Sequence, residues 1–235
     1  MSIACLSTVR ASAAPHRVAA LDHRRAPLIE ALSEYQAQAI VPFSTPGHKR
    51  GAAADDETRL VLGAATFAAD VWLNAGEFDR CLRAAEELAA DAWGAERSFF
   101  LSNGSSAGNH SALLATVDPG DEVIVGRDLH TSLLAGLILS GARPVYVMPR
   151  LHPELDAGLG LEAADVAAAL RRHPGAKLIA LVSPTYWGVA SDVAAVAGVA
   201  HEHGIPLYVD EAWGPHSLSI PRCRGRRWRA APIWR

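Results

Sequence analysis

Three short stretches carry polar side chains where an apolar run gives out: SNGSSAG at 102–108, RDLHTS at 127–132 and VDEAWGPH at 209–216. In the first, glycines let a backbone approach a ligand. Ser105 and Ser106 offer hydroxyls, and a helix beginning there adds free N–H groups and the positive end of its dipole, which together suit a phosphate. The stretch lacks the lysine of a Walker loop and the spacing of a dinucleotide fingerprint, so an ordinary capped strand-to-helix turn stays open. Asp210 closes the apolar run IPLYVD. A carboxylate there can hold a protonated ring nitrogen, which is what pyridoxal 5'-phosphate (PLP) needs to act as an electron sink. The plainer reading is a cap or an ion pair. Glu211 alternates to the other face and reads as structural. His130 opens a helix after a strand, where its ring could stack on a flat cofactor or simply cap the helix. His48 and Lys49 sit in the Gly/Pro loop TPGHKRG, placed for an anion or for solvent. His201 and His203 fall near a helix C-terminus, where they complement the dipole and carry no catalytic role. Trp72, Trp93 and Trp187 read as packing residues.

The elements that must position these groups follow a regular rhythm. APLIEALSEYQAQ (26–38) has Pro27 at a helix start, and GEFDRCLRAAEELAADAWGA (76–95) is an amphipathic helix ending near Gly94. Strands at 97–102, 121–126, 143–148, 176–183 and 205–210 then alternate with helices at 105–117, 130–141, 161–173 and 191–204, the last capped by Ser191 or Asp192. Short strands separated by helices of about 10–15 residues predict βαβ units. The expected fold class is a three-layer α/β/α domain with a mostly parallel sheet. Ligands of such sheets sit beyond the carboxyl ends of the strands, where the polar stretches fall.

Composition narrows the function classes. Half of the 235 residues are apolar and the net charge is -3, so nothing global favours nucleic acid or a membrane. Cys5, Cys81 and Cys223 are scattered, with neither metal-ligand spacing nor a disulfide framework, which predicts a reducing compartment. No apolar run approaches the roughly 20 residues of a membrane helix. MSIACLSTVRASAAP lacks the apolar centre of a signal peptide, and it reads as the frayed start of a cytoplasmic protein.

Taken together, PFSTPGHKRG, WGAERSFFLSNGSSAGNHSALLA, PGDEVIVGRDLHTSLLAGLILSGARPVYV, LVSPTYWGVASDV and HGIPLYVDEAWGPH resemble, in order, the motifs of the Orn/Lys/Arg decarboxylases. The resemblance covers roughly residues 26–216. It implies the PLP-dependent transferase-like large domain (fold type I), here incomplete at its C-terminus. It implies that Ser105, Ser106 and the N–H of Ala107 hold the phosphate of PLP. His130 stacks on one face of the ring, Ala212 presses on the other, Asp210 pairs with the ring nitrogen and Trp213 lines the pocket. Thr131 departs from the pattern, since many members have lysine there. The implied reaction is α-decarboxylation of a basic amino acid (lysine, ornithine or arginine), in a homodimer or higher oligomer, with no nucleic-acid or membrane partner and no metal. Three regions are expected: an N-terminal arm and TPGHK loop (1–50), a partial PLP-binding domain (51–216) and a non-native tail (217–235).

The family's Schiff-base lysine lies in a Ser-x-His-Lys motif beyond the Asp strand, and this chain has no lysine after Lys177. Neither Lys49 nor Lys177 matches. An inactive remnant is therefore the reading for this polypeptide. Another fold-type I enzyme, such as an aminotransferase, remains the alternative, and the TPGHK loop speaks against it. The tail carries six of the chain's arginines and two tryptophans, which raises nucleic-acid binding only until the genetic code is considered. With GC-rich synonymous codons, one thymine restored after His216 turns the tail into His-Phe-Pro-Phe-His-Pro-Ala-Leu-Pro-Arg-Pro-Pro-Leu-Ala-Arg-Gly-Ala-Asp-Leu-Ala, which resembles the family's continuation. Sequencing the locus is expected to show that single-base shift with a Ser-x-His-Lys codon series downstream. An early stop in the shifted frame would refute it.

Overall fold

The computed structural model describes residues 2–6, 21–38, 40, 41, 43, 45, 47–61 and 78–214. The chain divides into two compact units, one of residues 15–92 and one of residues 93–235 together with 1–14. The tail from 217, Cys223 and Trp72 lie outside the described residues.

In the unit of residues 15–92, α1 (Pro27–Ala37) starts on Pro27, whose missing N–H costs nothing at a first turn. The long amphipathic helix α2 (Phe78–Trp93) reaches the unit's end and stops at Gly94, where φ is +67°. In the loop before it, the Arg50 guanidinium stacks over Tyr35 at 4.3 Å and donates to the Gln38 carbonyl at 2.9 Å. Lys49 is exposed, with its Nζ 5.8 Å from the centre of the Phe43 ring.

The second unit contains β1 (Ser2–Leu6), β2 (Arg97–Leu101), α3 (Gly104–Thr116), β3 (Glu122–Gly126), α4 (Thr131–Ser140), β4 (Arg143–Val147), α5 (Ala163–Arg172), β5 (Leu178–Val182), α6 (Val193–Glu202) and β6 (Leu207–Asp210). Four strands form a parallel sheet in the order β4-β3-β5-β6. Every strand and helix expected after residue 96 is present, with no end shifted by more than two residues. The α6 cap is Asp192, whose carboxylate accepts from the Ala195 N–H at 3.0 Å. Ser191 instead accepts the Leu161 N–H at 3.1 Å.

Two expectations need correction. The N-terminus is not simply frayed: β1 pairs antiparallel with β2, from Ser2 opposite Leu101 to Leu6 opposite Arg97. Nor does β2 join the parallel sheet; it belongs to this separate two-stranded sheet. Both have one cause. A strand outside the main sheet keeps unpaired N–H and C=O groups along its edges, and a short alternating segment can satisfy them.

The central strands β3 and β5 are buried on both faces, which is why they read as continuous apolar runs. Side chains alternate across it. Val123, Val125, Leu178, Ala180 and Val182 pack with Leu113 of α3 and with Leu133 and Leu137 of α4. Ile124, Ile179, Leu181 and Leu207 pack on the opposite side with Val166 and Leu170 of α5 and Val196 and Ala200 of α6. These are the three layers the sequence predicts.

Gly136 sets how closely α3 and α4 approach. A Cβ there would lie 2.6 Å from Leu113 Cδ1 and 3.5 Å from the Asn109 carbonyl oxygen. Since Leu113 is fully buried, it has little room to yield. Gly136→Val is expected to wedge the helices apart and lower stability by about 1–3 kcal/mol, read as a lower denaturant midpoint. Among the described residues β6 pairs on one side only, and Leu114, Leu134, Ile138 and Leu139 expose apolar side chains on α3 and α4. The isolated chain is therefore expected to self-associate; a monodisperse monomer in sedimentation velocity, with a sharp thermal transition, would count against this.

Candidate functional site

The site lies where the sheet strands run out. Ser105, His130, Val182, Asp210, Ala212 and Trp213 line one cavity of about 220 Å³. Five of the seven residues expected at a site thus meet in one place, supplied by the first turn of α3, the residue before α4, the end of β6 and the turn after it. Ser106 and Ala107 are not in that lining. They occupy the next two positions of the same first turn, with Ser106 exposed and Ala107 half-buried.

Gly104 opens α3 with φ +71°, a backbone that favours glycine. Asn103, at the N-cap, makes no side-chain hydrogen bond. The first-turn N–H groups of α3 therefore have no partner within the helix and stand at the positive end of its dipole.

Asp210 is 5% exposed. Its Oδ2 accepts from Asn109 Nδ2 at 2.8 Å and its Oδ1 from the Ala212 N–H at 3.1 Å. Among the described residues no cation pairs with it. A carboxylate buried this deeply without an opposite charge is costly unless a ligand supplies one.

His130 is the N-cap of α4, as the plainer reading of the sequence has it, and it also lines the cavity. Its Nδ1 accepts the Ser132 N–H at 3.2 Å and lies 2.7 Å from Ser132 Oγ. Asn109 Nδ2 is 2.7 Å from the same hydroxyl, and Tyr208 donates its phenol proton to Asn109 Oδ1. Burial, and then the Asp210 charge, push the Tyr208 phenol well above its ordinary value, so it remains a donor.

Sequence reasoning missed Asn109, Ser132 and Tyr208. Two signals were available: Asn109 lies one turn after Ser105 on the same helix face, and Tyr208 shares the Asp210 face of β6 two residues earlier.

The wall beyond Asp210 is aromatic. Trp213 stands edge-on to Tyr186 with centroids 5.6 Å apart, and Tyr186 edge-on to Trp187 at 5.3 Å. Trp187 does not pack in the core as expected: it is 61% exposed. It sits on the loop after β5, where no second layer covers it. Gly214 allows that loop to meet the one after β6, because a Cβ there would lie 2.6 Å from Pro184 Cδ. Glu211 is exposed and outside the cavity lining. No described helix is long and apolar enough to cross a membrane, and no group of three His, Cys, Asp or Glu side chains capable of holding a metal occurs among the described residues.

Comparison with known proteins gives concordant results. Residues 26–226 match the model of the major domain of Orn/Lys/Arg decarboxylases. An arginine decarboxylase of Bacillus subtilis is 33% identical over 202 residues, covering 83% of this chain and 41% of that protein. Lysine decarboxylase A from Pseudomonas aeruginosa superposes with a TM-score of 0.69 at 27% identity, covering 82% of this chain and 29% of the other. The Francisella novicida lysine decarboxylase LdcF shares the fold, with a TM-score of 0.70 at 20% identity over 84% of this chain and 30% of its own. The chain thus spans less than half of the relatives it matches. With its motifs in family order and most of its length matched to the major domain, the chain belongs to the Orn/Lys/Arg decarboxylase family.

Proposed function

We propose that the cavity at the ends of β3, β5 and β6 binds PLP, and that the complete protein to which this sequence corresponds decarboxylates arginine, lysine or ornithine. The observation that carries the reading is Asp210: a buried carboxylate, fixed by two hydrogen bonds and lacking a cation, that faces a cavity shared with a helix N-terminus. A ligand with a cationic ring nitrogen at one end and a phosphate at the other answers both features. The residues present fit that group.

In this reading Ser105, Ser106 and the Ala107 N–H hold the phosphate, where dipole and hydroxyls act together. His130 and Ala212 would flank the ring, and Trp213 would line the mouth of the cavity. Asp210 keeps the ring nitrogen protonated. The bound cofactor would supply an electron sink for the electron pair left when carbon dioxide departs. The relatives named above are arginine and lysine decarboxylases, which supports a basic amino acid as substrate.

Neither Lys49 nor Lys177, the two lysines of these 235 residues, stands in the Ser-x-His-Lys context of the family. Lys177 precedes β5, with its N–H bonded to the Glu122 carbonyl at 2.8 Å. It is therefore at the amino end of the sheet, opposite the cavity. We place the missing amine downstream, in the frame restored beyond His216, with 217–235 a non-native tail and the complete protein an oligomer.

Two outcomes follow for the purified chain. It is expected to bind PLP reversibly, without a borohydride-reducible adduct, and to release no carbon dioxide from arginine, lysine or ornithine, because covalent catalysis needs the amine. Turnover with an adduct mapped to Lys49 or Lys177 would refute this. Asp210→Ala is expected to weaken PLP binding about 10- to 100-fold, the scale of a hydrogen bond to a charged group, measured by fluorescence titration; unchanged affinity would refute the cofactor assignment.

A further inference from the structure

We propose that Asn109 is a positioning residue that joins Asp210 and His130 into one hydrogen-bonded unit, so that the Asp210 charge reinforces the proton placement on His130 that the Ser132 backbone N–H sets. The part of the proposal that concerns the ligand rests on the PLP reading; the coupling itself does not.

Donors and acceptors fix the orientation of the Asn109 amide. Asn109 has one carbonyl and one amino group, and its surroundings accept only one orientation. Asp210 Oδ2, 2.8 Å away, is a carboxylate oxygen and can only accept. The amino group must therefore face it, since a flipped amide would set oxygen against carboxylate. The carbonyl then faces Tyr208, which must donate. The phenol is held protonated by burial and by the same carboxylate.

The second N–H of Asn109 points to Ser132 Oγ at 2.7 Å. The Ser132 hydroxyl can accept a second hydrogen as well as give its own, so its contact with His130 Nδ1, also 2.7 Å away, takes its direction from the ring. The Ser132 backbone N–H, 3.2 Å from His130 Nδ1, makes that nitrogen an acceptor, and the hydroxyl gives it its hydrogen. The imidazole is neutral, with its proton on Nε2.

The carboxylate sets the direction of the Asn109 and Tyr208 bonds, and the Ser132 backbone N–H sets that of the bond to His130; the two meet at the Ser132 hydroxyl. Asn109 and Ser132 are both buried, at 1% and 6% exposure, so water does not compete for these groups. The result is a cavity that presents a fixed anion and a fixed neutral ring. The same arrangement leaves one lone pair on each Asp210 oxygen for a ligand.

The test begins with the ligand-free chain. Long-range ¹H–¹⁵N correlation of the His130 ring, assigned by His130→Gln, is expected to show one neutral tautomer protonated at Nε2. Asn109→Leu and Asn109→Asp are expected to shift both ring-nitrogen resonances toward a mixture of tautomers. Asp210→Asn, which touches no atom of His130, is expected to move them too, and to lose that effect in a Ser132→Ala background. A wild-type ring protonated at Nδ1 would overturn the proposal. So would His130 signals indifferent to Asp210→Asn. If the Asn109 variants do not fold, these two measurements still decide.

A second arm compares PLP with the carbocyclic analogue whose ring nitrogen is replaced by carbon. Asn109→Leu is expected to weaken PLP binding roughly tenfold, the loss of one hydrogen bond to a charged group, and to leave the analogue unaffected. Equal losses for both ligands would reduce Asn109 to a general structural role and overturn the ligand part. A wild-type chain that does not distinguish the two ligands would refute the cofactor reading, while the His130 measurement still judges the coupling.

Discussion

A carboxylate placed at 5% exposure, with no cation beside it among the described residues, organises this fold's functional end. Such a group must be held by hydrogen bonds or the strand that carries it is disfavoured. Here the bonds come from Asn109 of α3 and from the turn at Ala212, so a helix far away in sequence is tied to the end of β6. The same asparagine satisfies Tyr208 and Ser132. A single amide therefore uses its carbonyl and both of its N–H groups within a dry region.

The amide can do this only because α3 and α4 lie close together. Gly136 leaves the room, and Leu113 fills it. Above that contact, on the same pair of helices, Asn109 meets Ser132, and His130 caps α4 through Ser132. The packing of the apolar layer and the geometry of the polar network are one constraint: a shift of either helix would stretch several short bonds at once. Close-packed interiors transmit such shifts with little give.

The parallel sheet shows where the described residues leave work for other chain segments or other molecules. β6 carries the site yet pairs only with β5, and β2 leads into the first turn of α3 from a sheet of its own. Among the described residues the strand bearing the buried carboxylate is thus an edge strand. This matches a chain that covers 41% of the Bacillus subtilis arginine decarboxylase it resembles.

By itself the sequence determined the alternation of strands and helices after residue 96 and the three layers, and it singled out Ser105, His130 and Asp210, while Ala212 and Trp213 came from the family resemblance. The reason is local: apolar runs bounded by turn residues mark strands buried on both faces, and polar side chains at strand ends mark the rim of an α/β sheet. It also showed that neither Lys49 nor Lys177 matches the family's Ser-x-His-Lys motif. Only the tertiary structure decided that β2 lies outside the parallel sheet and pairs with Ser2–Leu6, because pairing depends on which edges are left open. Only it decided that Trp187 is exposed and that Asn109, in mid-helix, reaches a carboxylate 101 residues later. A side chain's partners across such a separation are set by how helices pack on the sheet, which no window of sequence contains.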